Sequence, residues 1–220
     1  MTAPRTTLAS LGMSCQTTHQ LRRLTGQESD SGPTAPSGLF DWLICPLASS
    51  IALLDKQIPD FSRNQIQVQK GRAYWPKFNL YFWHSFLVKG ETTHQVDIDA
   101  NFEAELRRWR HLRDRFSELD PRHTIFVVSN TQNNLETEVF EQSEQDQYLF
   151  TGKLLDQLKH SLGNYFKTTS YAIQLEVLSR ESRMSATDGL PTPVTYLPTD
   201  HNEWKGSRKS WDNWWDKLNL

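Results

Sequence analysis

The chain has 220 residues, the length of one ordinary domain, and its 24 Lys and Arg nearly cancel its 26 Asp and Glu to leave a net charge of −2. That balance argues against a globally basic nucleic-acid binder and against an acidic tail protein. Mean hydropathy is −0.63, no apolar run nears the ~20 residues of a spanning helix, and Met1 to Leu11 lacks the apolar core of a secretory signal, so the expectation is a soluble, cytoplasmic protein without a membrane or nucleic-acid partner.

Thr7 to Leu11 reads as a strand, Gly12 as a tight turn, and Ser14 or Cys15 as the start of a helix through Leu24. Residues 26–38 (GQESDSGPTAPSG) form a Pro/Gly/Ser-rich connector that the composition predicts to be mobile. Leu39 to Cys45 is apolar with Asp41 in its middle, and Pro46 fits the first position of a helix through Leu54. Tyr74 to Val88 is aromatic and strand-like, and Val96 to Asp99 leads into the clearest helix. There Phe102, Leu106, Trp109, Leu112, Phe116 and Leu119 repeat at three- and four-residue steps. Thr124 to Val128 has the composition of a fully buried strand, and residues 129–147 are polar, a loop or frayed helix. Leu149 to Leu162 is amphipathic with Gly163 placed beyond its end, and Tyr171 to Leu178 is a further strand. Trp211, Trp214, Trp215 and Leu218 share one helical face, so residues 200–220 are expected to dock on the domain rather than expose those rings. The alternation predicts a single α/β domain over residues 1–220, with a mostly parallel or mixed sheet flanked by helices.

Two cysteines, Cys15 and Cys45, do not make a disulfide framework, and neither has a second ligand at zinc spacing. Neither a metal nor a cofactor is expected. A thiol at a strand-to-helix turn sits where backbone N–H groups favour the thiolate and can bind an oxyanion, so Cys15 is the candidate nucleophile, with a lowered pKa expected. The competing reading is a small buried hydrophobe, which also suits Cys45. His84, in the aromatic segment, is the candidate general base and acid, against a histidine that is merely hydrogen-bonded in place. Asp41, between Phe40 and Trp42, is the first candidate to orient it. Asp97 is the second and Asp99 follows, although Asp99 also fits a helix N-cap. His201 beside Asp200 is a weaker base. Arg107, Arg108, Arg110, Arg113 and Arg115 read as a solvated helix face beside Glu103, Glu105 and Asp114. P-loop, G-x-G-x-x-G, H-E-x-x-H and G-x-S-x-G patterns are absent.

Ser10-Leu11-Gly12-Met13-Ser14-Cys15 with Leu21-Arg22-Arg23, then Phe40-Asp41-Trp42, resembles an uncharacterised, largely bacterial family described as papain-like cysteine peptidases. His84 before Ser85-Phe86, the paired Arg107-Arg108, the Ile125 to Val128 strand and the Trp204 and Trp211 end follow in the same order. The chain departs from the family pattern at Ser14, often Asn there, and at Ser129-Asn130, where the strand often ends in Arg. The resemblance implies a cysteine–histidine hydrolase, with an α+β papain-like fold as the alternative to α/β. It makes Trp42, Ser14 and Asn130 the expected substrate contacts.

The expected function is thus a cysteine-dependent hydrolase of a peptide, protein or small amide or ester. One alternative is an esterase of the SGNH type, although Asp200 and His201 are adjacent where D-x-x-H spacing is required. The other is a non-catalytic module that recognises a glycan, a phosphate group or a protein, with Cys15 simply buried.

Overall fold

Thr124-Ile125-Phe126-Val127-Val128-Ser129 is apolar on alternate and intervening positions alike, the pattern of a strand covered on both faces. In a computed structural model of the chain this segment is an inner strand of a four-stranded parallel sheet. Residues 6–26, 33–88, 95–132, 146–185, 192–198 and 204–218 are described. The elements in order are β1 (Thr7–Ser10), α1 (Cys15–Thr25), β2 (Leu43–Ile44), α2 (Leu47–Asp55), β3 (Gln67–Gln69), β4 (Arg72–Trp75) and β5 (Leu80–Phe82). After them come α3 (Ile98–Ser117), β6 (Thr124–Ser129), α4 (Gly152–Tyr165), β7 (Gln174–Ser179), β8 (Val194–Tyr196) and α5 (Arg208–Lys217).

The main sheet has the order β1-β6-β7-β8, with Leu8 opposite Ile125, Phe126 opposite Leu175 and Leu178 opposite Thr195. Alternate residues point to opposite faces. Ala9, Phe126, Val128, Leu175 and Val177 pack with Leu47, Leu106, Phe116, Leu155 and Leu162 of α2, α3 and α4. Leu8, Ile125, Val127 and Leu178 pack with Leu21 and Leu24 of α1 and Trp211 and Trp214 of α5. Helices therefore cover both faces, an α/β arrangement. An α+β layout, with helices segregated from an antiparallel sheet, does not describe it.

A second sheet, antiparallel and ordered β2-β5-β4-β3, fills the long crossover between β1 and β6. The aromatic run 74–88 is not one strand. Pro76 opens a 3-10 turn over Pro76–Phe78, and Asn79 takes a left-handed backbone at φ 46° before β5 begins. The run's aromatic side chains then meet α3: Trp75 lies 6.0 Å and Phe82 5.9 Å from Trp109, edge to face, and Phe61 joins the same cluster at 5.6 Å from Trp109.

Three further boundaries differ from expectation. Pro46 is the N-cap of α2 rather than its first residue. Asp97, not Asp99, caps α3, its carboxylate accepting from the Ala100 N–H at 2.9 Å. Gly163 lies inside α4, where a Cβ would meet the Thr168 carbonyl oxygen at 3.0 Å and the Ser170 nitrogen at 3.1 Å, so close chain approach rather than helix termination requires glycine. The connector's residues 27–32 lie outside the described residues. Its end runs along β1, with the Leu8 N–H donating to the Thr34 carbonyl at 2.6 Å. At the other terminus Trp211 and Trp214 are buried against the main sheet.

Candidate functional site

Ligands of parallel α/β sheets gather outside the carboxyl ends of the strands. Here those ends are Leu11 to Cys15 after β1, Asn130 to Gln132 after β6, and Arg180 to Arg183 after β7. The first turn is tight because Gly12 and Met13 both take left-handed backbones, at φ 86° and 71°. A Cβ on Gly12 would lie 3.4 Å from Cys45 Sγ and 3.6 Å from Phe40. Ser50 helps hold this turn, its hydroxyl donating to the Leu11 carbonyl at 2.9 Å and lying 3.6 Å from Cys45 Sγ. The turn delivers Cys15 as the first residue of α1, with Ser14 as the N-cap.

Cys15 is almost fully buried. Loss of water around the sulfur pushes its thiol up to about 12, with a smaller upward push from the Asp41 carboxylate and an opposing one from its own backbone N–H. The expectation of a lowered thiol pKa is therefore not met: burial outweighs the lowering by the backbone hydrogen bond. The Cys45 thiol is raised by burial too.

Asp41 is the charged group that acts on Cys15, and its own surroundings are elaborate. The Gly38 N–H donates to Oδ2 at 2.9 Å, the Thr18 hydroxyl to Oδ1 at 3.0 Å, and Arg22 pairs with Oδ2 at 2.8 Å. Burial still raises its pKa, because Arg22 is partly exposed and water screens its charge. The contacts that hold Asp41 run to Gly38, Thr18 and Arg22.

His84 is exposed, just past β5, and its ring meets Trp42 edge-on at 5.2 Å. Trp42 is half-buried, and its left-handed backbone, φ 61°, is strained for so bulky a residue. The Arg22 guanidinium lies 5.5 Å from the Trp42 ring. Arg22 thus links Asp41 on one side to the Trp42–His84 pair on the other. Asp97 caps α3 and Asp99 pairs with Arg63, so both have assigned structural work. His201 and Asp200 lie outside the described residues.

Asn130 is buried in a knot. Its side-chain N–H₂ donates to the Tyr148 and Arg183 carbonyls at 2.9 and 3.0 Å, and its own carbonyl accepts from Arg183. Arg180 donates twice to the Thr131 carbonyl, at 2.9 and 2.7 Å, and Arg183 to the Gln132 carbonyl at 2.6 Å. Both arginines are buried and fix the loop after β6. Among the described residues, the hydroxyls of Ser14 and Thr17 and the Asn130 Oδ1 are buried without a hydrogen-bond partner.

Gln16, Thr131, Gln132, Arg180 and Arg183 were not singled out by the sequence. Gln16 joins three segments: its backbone N–H donates to Gln132 Oε1 at 3.3 Å, its Oε1 accepts from the Thr131 hydroxyl, and its Nε2 donates to the Trp204 carbonyl at 2.7 Å. A usable signal was the run Gln16-Thr17-Thr18, three uncharged polar residues at a helix start beside a cysteine.

A separate groove of about 380 Å³ between α2 and the 76–79 turn is lined by Pro46, Ala48, Phe78, Asn79, Asp146 and Leu154 among others, and none of the candidate residues borders it. Among the described residues no cluster of three or more His, Cys, Asp or Glu side chains forms a metal-ligand set, and no helix is long and apolar enough to cross a membrane. No family model, no curated protein and no solved structure matches the chain.

Proposed function

We propose that the chain is a cysteine-dependent hydrolase acting on an amide or ester, with Cys15 as nucleophile. The observation that carries this reading is the placement of Cys15. It is the first helical residue after the first parallel strand, at the carboxyl edge of the sheet, a place where a helix start can lend backbone N–H groups to an oxyanion once the Gln16 N–H is released from Gln132. A thiol at about 12 is protonated at neutral pH, so it behaves as a serine hydroxyl does and attacks only as a base removes its proton. His84 takes that proton and returns it to the leaving amine or alcohol. The Cys15 thioester is then cleaved by water. Asp41, raised by burial and held by Arg22, sets the field at the sulfur.

The test is turnover of a panel of p-nitrophenyl esters, acyl thioesters and coumarin-labelled peptides. Cys15→Ala is expected to abolish turnover, and His84→Ala to slow it by about 10²- to 10⁴-fold. Activity unchanged in Cys15→Ala sinks the reading.

The pushed-up thiol and the outward-lying His84 favour a second reading, an interaction module in which Cys15 only fills space. It stands if the whole panel is inert and the Cys15→Ala fold is intact.

A further inference from the structure

One stripe of α1 is covered by the C-terminal segment. Gln16, His19, Gln20 and Arg23 stand at i, i+3, i+4 and i+7, the positions that share a helix face. Gln16 Nε2 donates to the Trp204 carbonyl at 2.7 Å, and Gln20 Nε2 to the Lys205 carbonyl at 2.6 Å. The His19 and Trp204 rings lie 5.3 Å apart, and Arg23 pairs with Asp212 at 2.6 Å. Gly206 takes a left-handed backbone, φ 78°, that strains any other residue, and a Cβ there would lie 2.6 Å from Gln16 Nε2 and 3.3 Å from Trp211 Nε1, so the end of the Gln16 side chain would have to shift. Trp211 and Trp214 then anchor the segment in the core.

The start of α1 needs such support. Ser14 makes no capping bond with its side chain, and the first turn carries no acidic residue, so neither usual device secures it. Its tertiary ties are Thr18, bonded to Asp41, and Gln16, held on one side by Thr131 and Gln132 and on the other by the Trp204 carbonyl. Cys15 precedes Gln16 and is 3 % exposed.

We infer that residues 204–217 are a strap on α1 whose grip on Gln16 keeps the first turn of the helix, and with it the Cys15 thiol, closed to solvent. Lifting the strap leaves Gln16 held by Thr131 and Gln132 alone, loosens the turn, and returns water to the sulfur. The inference rests on the location of Cys15 in the proposed site and not on its catalysis, since alkylation reads access to an idle thiol equally well.

The experiment is iodoacetamide alkylation of the full chain at mildly alkaline pH, followed by peptide mapping, with buried Cys45 as internal reporter of global opening. Gly206→Ala strains the left-handed backbone of the strap and crowds the Gln16 amide, and Gln20→Ala removes the Lys205 anchor together with the acceptor of the Arg23 Nε–H. In each, Cys15 alkylation is expected to rise by about fivefold or more, the effect of losing one net hydrogen bond, with Cys45 unchanged. If Gly206→Ala releases both cysteines together it has unfolded, and Gln20→Ala then decides. An unchanged Cys15 rate in a folded variant, or Cys15 and Cys45 rising in step in Gln20→Ala, overturns the strap.

Discussion

Burial sets the character of Cys15. With its thiol raised from about 9 to about 12 by burial, Cys15 is protonated at neutral pH to a far greater extent than a free cysteine. Alkylation of Cys15 is therefore expected to be slow at neutral pH and to climb only in strongly alkaline buffer. Fast labelling at neutral pH would show that the sulfur is not desolvated. The sign for stability follows from a folded pKa above the unfolded one: the contribution is whole below about 9 and is lost as pH rises toward about 12. Cys15→Ala is thus expected to flatten the alkaline limb of the stability profile, read by denaturant melts across that range. Asp41 carries the same sign at acid pH, so its stabilising contribution is whole below the ordinary carboxylate range and declines as pH rises through its raised value. The position of Cys15 at a helix start was legible, because Gly12 and the following polar run mark a strand-to-helix turn. Its pKa was not, because burial is set by tertiary packing that the turn's own residues do not announce. Likewise nothing near Phe40-Asp41-Trp42 announces Thr18 and Arg22 as the partners of the carboxylate.

At the scale of elements, α3 shows where energy resides. Trp109 is buried among Phe61, Trp75 and Phe82, and its Nε1 donates to the Pro59 carbonyl at 3.0 Å. Trp109→Ala is expected to cost about 3–5 kcal/mol. On the same helix Arg110 and Arg113 both reach Asp60, at 2.7 and 2.6 Å. Asp60 and Arg110 are exposed and Arg113 is half-buried, and Asp60→Ala is expected to cost no more than about 1 kcal/mol. Urea melts of the two variants compare them, and equal losses would contradict this division. Gly163→Ala makes a sharper case. Helix propensity alone favours alanine by about 1 kcal/mol, yet the new methyl meets backbone at 3.0 Å, so a net loss of stability is expected, and a gain would show that residues 168–170 yield freely. The three- and four-residue spacing of α3 and the apolar run of β6 were readable because one long helix and one doubly covered strand write strong patterns. The second sheet was not, because β2, β3 and β5 have only two or three residues each, too few for an alternation to stand out, and a 3-10 turn interrupts the aromatic run.

Across the whole molecule, the parallel sheet brings to one edge what the sequence scatters: Cys15 after β1, Thr131 and Gln132 after β6, Arg180 and Arg183 after β7. The α/β class was legible from the order of elements. The convergence was not, because a strand order is a property of long-range pairing. The seat of α5 ties the C-terminal segment to this edge, and Trp214 also donates to Glu176 of β7 at 3.4 Å. Trp211→Ala is expected to cost about 3–5 kcal/mol and to expose the Leu8, Leu21 and Val127 face, seen as lowered thermal stability with new binding of a hydrophobic dye. A melting temperature unchanged from wild type would place α5 outside the cooperative unit. The measurement that bears most directly on the proposed chemistry is intact-protein mass spectrometry after brief reaction with p-nitrophenyl acetate, with peptide mapping of any adduct. An acetyl group on Cys15, absent from Cys45 and lost in Cys15→Ala, is the expected result; acetylation elsewhere only, or none while ester is still hydrolysed, would contradict a nucleophilic Cys15.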